Sequence, residues 1–199
     1  MTEDLILASA SQIRSRLLGA AAVPHEAIPA RIDEDSLRAS MIQEDAKARD
    51  IADALAEMKA RKVSQKYPEA LVLGCDQVLA HDNALLSKPK TPQEARTQLA
   101  ALRGTTHQLL SAAVLYQDAE PLWRHIGVAR LTMRSFSDAY LDDYITRNWD
   151  SIRWSVGGYK IEEEGIRLFS NIAGDHFTVQ GLPLIELLSY LTLRGTLPT

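Results

Sequence analysis

Residues 71–80, LVLGCDQVLA, constrain the fold more than any other stretch of this chain. Leu71–Gly74 is an apolar run of strand length, and apolar character resumes at Val78–Ala80. The pattern predicts a buried strand followed by a second short one, with a turn around His81–Asn83. The segment just before it supplies cover. Met41 to Tyr67 contains neither Pro nor Gly, and Ile51, Ala54, Leu55 and Met58 recur at helical spacing, so one long helix is expected, ended by Pro68. Asp76 interrupts the apolar runs. Burying an unpaired charge is expensive, so Asp76 either has a partner or stands where a strand opens into a cleft. In open α/β sheets ligands sit beyond the carboxyl ends of strands, where a carboxylate can hold a metal or orient a water. The competing reading is a turn residue that caps the break between two strands.

Leu5–Ala8 is a strand candidate, and Ser9–Leu18 reads as a polar turn opening a helix. Thr91-Pro92-Gln93-Glu94 carries a helix start: Thr at the N-cap, Pro at the first position, Glu at the third. That helix is expected to stop near Gly104. Residues 106–117 and 121–134 form two strand-like runs joined by Asp118–Glu120, a predicted hairpin. Ser137 is expected to cap a helix through about Arg147, Gly157-Gly158 to precede a short strand at Tyr159–Ile161, and Pro183–Arg194 to form a last helix ended by Gly195. Strands alternate with helices while the hairpin adds antiparallel pairing, so the expected class is α/β with a mixed sheet.

With 199 residues, the chain suits one large domain or two small lobes. A net charge of −4 gives no reason to expect nucleic acid or an anionic membrane as the main partner, so an anionic ligand needs a local basic site. No apolar run approaches membrane-spanning length, and the opening MTEDLILAS lacks a basic signal-peptide start. Cys75 is the only cysteine, which excludes an internal disulfide and points to a reducing cytoplasm.

Ser9, Ser11, Arg14 and Arg16 cluster where the first strand becomes a helix, and backbone N–H groups there can meet an anion. An N-cap with solvated arginines explains the same residues. Asp33-Glu34-Asp35, placed in a loop before the long helix, offers oxygen ligands to a hard cation such as Mg²⁺ or is simply solvated. Lys59 faces phosphate or water. Lys88, held extended by Pro89, is aimed inward at a phosphate or terminates an edge strand. His107 reads as a structural hydrogen-bonder and Cys75 as a small core residue. No second His or Cys stands at zinc spacing from His107, and neither a Walker loop nor a nucleophile elbow is present.

Eight segments, in order along nearly the whole chain, resemble the Maf family. They are LILASASQIRSRLL, RIDED, LAEMKARKV, GCDQVLA, LLSKP, ALRGTTHQLLSA, VGGYKIEEEG and IAGDHFTVQGLPLIELLSYL. The resemblance implies a single domain over 1–199, with the fold of the inosine-triphosphate pyrophosphatases. That fold is a long bent mixed sheet with flanking helices, in two lobes around a cleft. It implies hydrolysis of a nucleoside triphosphate to the monophosphate and pyrophosphate with Mg²⁺ or Mn²⁺, in a homodimer. Asp76 matches the family's catalytic acid, which binds metal or activates water, with Glu34 as second carboxylate. Lys59 and Lys88 would neutralise the triphosphate, and Ser9, Ser11 and Arg14 would hold its other side.

The chain also departs from the family pattern. Ile13 stands where members commonly have a second arginine. Gln77 and Glu162 replace the Thr and Gln of the dTTP/UTP-preferring branch and are similar to the branch acting on 7-methyl-GTP. Glu162 would face the base and Gln77 would sit beside the catalytic acid. Two other readings stand beside this one. The first is a nucleotide-binding regulator of cell division and septum formation with little hydrolysis, favoured by the lost arginine. The second is a metal-dependent phosphatase of another fold, disfavoured by the lack of an Asp-x-Asp after the first strand.

Overall fold

The computed structural model describes residues 5–82 and 84–198. Its seven strands are β1 (Leu5–Leu7), β2 (Glu26–Ala27), β3 (Leu71–His81), β4 (Ala84–Leu86), β5 (Thr106–Gln117), β6 (Glu120–Met133) and β7 (Phe169–Ala173). They form one sheet in the order β2-β1-β3-β5-β6-β7, with β4 also on β3. The β1–β2 and β1–β3 pairs are parallel and the remaining pairs antiparallel, so the sheet is mixed as expected. The helices are α1 (Gln12–Ala20), α2 (Glu34–Gln43), α3 (Ala48–Ser64), α4 (Pro92–Leu102), α5 (Asp138–Ile152), α6 (His176–Val179) and α7 (Leu184–Arg194). They cover both sheet faces. α1 and α7 pack over Leu5, Leu7, Leu71, Leu73 and Cys75. On the opposite face α3 packs Ile51, Leu55, Ala56 and Ala60 over Ile6, Val72 and Val78. A third cluster joins α4 and α5 to β5, β6 and β7.

Local signals held where their chemistry is local. Thr91 Oγ1 accepts from Glu94 N at 3.1 Å and Ser137 Oγ from Tyr140 N at 3.1 Å, with Pro92 opening α4. Gly195 ends α7 at φ +84°. The β5–β6 hairpin turns through Asp118 and Ala119, both with positive φ, which matches the right-handed twist of the flanking strands.

Several expectations need correction. The helix predicted from Met41 to Tyr67 is two helices. The chain breaks at residues 44–47, where Asp45 adopts φ +54°. The loop placed at Asp33–Asp35 is instead a helix start: Asp33 caps α2 by accepting from Ser36 N at 3.0 Å, and Glu34 is its first residue. α5 continues five residues past Arg147 to Ile152. The segment Tyr159–Ile161, expected as a strand, pairs with no strand and runs into a turn at Ile161, and the strand that closes the sheet is β7. The turn expected at His81–Asn83 includes Asn83, which lies outside the described residues.

Leu71–Gly74 and Val78–Ala80 belong to one unbroken strand of 11 residues, because β5 pairs along it from Val72↔Tyr116 to Ala80↔Gln108. On β3's other edge, β1 pairs only with Leu71–Leu73 and β4 only with Leu79–His81. Among the described residues, 74–78 therefore have no strand neighbour on that edge. Asp76 is mid-strand, not at a strand end, and it stands beside this interval just past the carboxyl end of β1.

Gly74 allows the covering helix to come close. A Cβ there would lie 2.1 Å from Ala56 O and 2.6 Å from Ala60 N, so α3 rests directly on the β3 backbone. Lys59 is on this same buried stripe of α3, and the close approach sets its ammonium beside Asp76.

Candidate active site

A cavity of about 700 Å³ opens at the interval in β3, and the nine residues that the family resemblance assigned to the site line it: Ser9, Ser11, Arg14, Glu34, Lys59, Asp76, Gln77, Lys88 and Glu162, whereas Asp33 and Asp35 do not. A larger cavity, about 850 Å³, lies around Val23, Pro24, Tyr67, Pro68 and Leu197 and contains none of them.

At the centre, Lys59 Nζ donates to Asp76 Oδ1 at 2.7 Å and pairs with Glu34 Oε1 at 3.0 Å. Lys59 is 7% exposed and Asp76 5%. The ammonium thus holds together two carboxylates delivered by different elements, β3 and the start of α2. Asp76 Oδ2 is buried and has no hydrogen-bond partner among the described residues. A carboxylate oxygen left in that state is costly unless something else occupies its lone pairs. It has the donor chemistry for a cation or a water.

Arg14 is buried and much of its guanidinium is committed to the fold. Nε donates to Gly181 O at 2.8 Å, and Nη1 to Ser9 Oγ at 3.1 Å and to Cys75 O at 3.0 Å. It braces α1, β3 and the turn after α6, and Nη2 has no hydrogen bond to a described residue. Ser9 Oγ also accepts from Ser11 N at 3.2 Å. Ser11 occupies the N-cap of α1 without a side-chain cap bond, so its hydroxyl is available to the cavity. Arg16 lines the same wall.

Lys88 enters from the irregular segment after β4. Unlike Lys59, it has no hydrogen bond or ion pair with a described residue. The cavity walls desolvate its ammonium and lower its pKa, and the charge of Arg14 lowers it further, against the opposing effect of Glu34. Such a cation gains from an arriving anion.

Gln77 is less available than the sequence implied. Its Nε2 donates to Ser111 Oγ at 3.0 Å and to the carbonyls of Thr178 and Val179 at 3.2 and 3.0 Å, tying β3 to β5 and α6. Only Oε1 remains for a ligand. Glu162 is exposed on the cavity wall, in the turn after the Gly157–Gly158 bend. Gly157 has φ +75°, and a Cβ there would lie 2.5 Å from Leu79 Cδ1, so a glycine is needed for that bend to pass.

His107 and Cys75 take the structural roles expected of them. His107 Nε2 bonds Tyr159 OH at 2.7 Å, and burial pushes its pKa down to about 4. Burial raises the Cys75 thiol to about 11. Among the described residues no group of three or more His, Cys, Asp or Glu could hold a metal ion. Glu34 and Asp76 are the two carboxylates lining this cavity that could share one. Residues the sequence did not single out also line it, including Arg31, Arg38, Lys160, Gln180 and Trp154. Nothing local distinguishes them from ordinary surface side chains.

A cavity that joins a paired buried carboxylate to several cations, on a mixed α/β sheet, defines a class of anion-processing sites. The Maf-like protein family model matches residues 4–193, and the chain belongs to that family. It is 62% identical to the nucleoside triphosphate pyrophosphatase of Roseobacter denitrificans, over 100% of both chains. It is 59% identical to that of Ruegeria pomeroyi, again over 100% of both. It is 45% identical to the 7-methyl-GTP pyrophosphatase of Mesorhizobium japonicum, over 99% of each.

Proposed function

We propose that this chain hydrolyses a nucleoside triphosphate to the nucleoside monophosphate and pyrophosphate in the β3 cleft. The observation that carries the reading is Asp76: buried, paired to Lys59 through Oδ1, and with Oδ2 lacking any described donor. Water attacks the α-phosphorus and passes its proton to Oδ2, while the bond from that phosphorus to the bridging oxygen breaks and pyrophosphate leaves. Lys88, Arg14 Nη2 and the Ser11 hydroxyl meet the phosphate oxygens. Phosphoryl chemistry of this kind depends mainly on positioning and charge neutralisation. The names of the relatives support the same reaction.

The donor set fits a divalent cation, Mg²⁺ or Mn²⁺. Mg²⁺ is usually held by one or two carboxylates plus substrate phosphates and water. Glu34 would supply one carboxylate and Asp76 the other, through the lone pair that Lys59 leaves on Oδ1, which keeps Oδ2 for the water. When bound, the ion would polarise the phosphoryl oxygens and offset their charge.

The base preference we propose is for guanine, methylated at N7 or not, over dTTP and UTP. Glu162 is exposed in the cleft and has no hydrogen bond or ion pair to a described residue. A carboxylate can only accept, so it suits the N1–H and N2–H₂ edge of guanine and opposes a base whose first contact is a carbonyl. The test is pyrophosphate release from GTP, 7-methyl-GTP, dTTP and UTP by wild type and Glu162→Gln. Orthophosphate as product, or no product, refutes the reaction. A preference for dTTP or UTP, or a ratio unchanged by Glu162→Gln, refutes the base reading.

A further inference from the structure

Trp154 is the anomaly of the cavity wall. Indole side chains are usually largely buried, because they have a large apolar surface to remove from water. Trp123 and Trp149 obey this rule and pack against core clusters. Trp154 is 68% exposed and packs on none of them, yet it borders the active cavity. It is also held in place. The Arg153 guanidinium lies 5.1 Å from the Trp154 ring centroid and 5.4 Å from that of Trp149, so one cation bridges the two indoles. That contact occupies one face of Trp154. The ring follows the end of α5 and precedes the Gly157–Gly158 bend that carries Glu162 into the same cavity.

We propose that Trp154 is the base-stacking residue of this cleft, with the nucleobase lying on the indole face that Arg153 leaves open. The inference rests on the nucleotide reading above and adds a residue to it. Phosphates are met by the cations around Asp76. Glu162 takes the hydrogen-bonding edge of the base, and Trp154 takes its flat face. An edge contact leaves the ring free to tilt about the bonded edge, whereas a stacked plane combined with an edge contact fixes its orientation. Stacking is tolerant of base identity but grows with ring area, so purines gain more than pyrimidines.

The experiment compares wild type, Trp154→Ala and Trp154→Phe with GTP and dTTP as substrates and inorganic tripolyphosphate as competing inhibitor. Losing a base–aromatic stack is expected to raise KM for GTP by roughly 5- to 100-fold. The rise for dTTP is expected to be smaller and kcat much less affected. Tripolyphosphate inhibition stays unchanged, and Trp154→Phe recovers most of the loss. An unchanged KM for GTP in Trp154→Ala overturns the proposal. So does an equal weakening of tripolyphosphate, which would mean the cleft itself had been damaged. If wild type releases no pyrophosphate, the hydrolytic reading fails separately. Calorimetry with the α,β-methylene analogue of GTP then decides the stacking role. Weaker binding by Trp154→Ala supports it, and equal binding by both proteins refutes it.

Discussion

Replacing Asp76 with Asn keeps the side-chain shape and removes the charge, and the surrounding residues set the cost. Lys59 loses a charged partner at 2.7 Å but keeps Glu34 at 3.0 Å, so the ammonium is not stranded. The amide oxygen is free to take the Lys59 bond. The amide nitrogen then falls where Oδ2 now has no donor. The fold keeps that bond but loses the charge on its acceptor and buries an N–H₂ with no described acceptor, which together cost about 1.5–3 kcal/mol. This is less than the roughly 3–5 kcal/mol of a buried pair broken outright. In a chain of this size the melting temperature drops by roughly 3–12 °C. Activity suffers more. An amide N–H₂ at that position cannot take a proton from water, so turnover falls about 100-fold or more. The assay is pyrophosphate release per folded molecule, with the folded fraction taken from thermal or urea unfolding at the assay temperature. Near-wild-type release from folded Asp76→Asn would refute the assignment of Asp76. A melting temperature that collapses while residual activity per folded molecule stays normal would make the carboxylate structural.

The two lysines separate in a similar comparison. Lys59→Ala leaves Asp76 buried without its donor and should cost about 3–5 kcal/mol. Lys88→Ala removes a side chain with no described protein partner, so stability should stay within about 0.5 kcal/mol while kcat/KM falls roughly 10- to 100-fold. Loss of stability with unchanged kinetics in Lys88→Ala would refute its role. Gly74→Ala drives a Cβ into Ala56 O, so it should destabilise by about 1–3 kcal/mol or more and lower activity by shifting Lys59 from Asp76. Urea unfolding at wild-type stability would contradict that packing. His107, 1% exposed, has its pKa lowered to about 4 by burial first and the charge of His81 second. An unfolded imidazole titrates near 6.5, so between these values the unfolded chain binds a proton that the fold excludes. Stability should fall as pH drops through that window, by about 3 kcal/mol in all. An NMR titration of His107 near pH 6.5 would refute this.

Whatever depends on neighbours within a turn or two was legible in the sequence. Thr91, Pro92 and Ser137 start helices where their chemistry says, Gly195 stops one, and the β5–β6 hairpin folds at Asp118–Ala119. The ordered motifs were also enough to name nine residues that line one cavity. Tertiary structure decided the rest, because the deciding partners are far away along the chain. Asp76 looks like a strand break until β5, about 35 residues on, pairs straight through it. It then becomes a cleft residue because β1 and β4 leave one edge of β3 free. The break near Asp45 has no Gly or Pro to announce it. Arg14 reads as a ligand-facing cation, yet Gly181, 167 residues away, takes one of its donors. Gln77 reads as a base contact, yet carbonyls about 100 residues on consume its amide N–H groups. Trp154 carries no local mark of a cleft residue, because a tryptophan's exposure depends on which surfaces remain to cover it once the sheet is built.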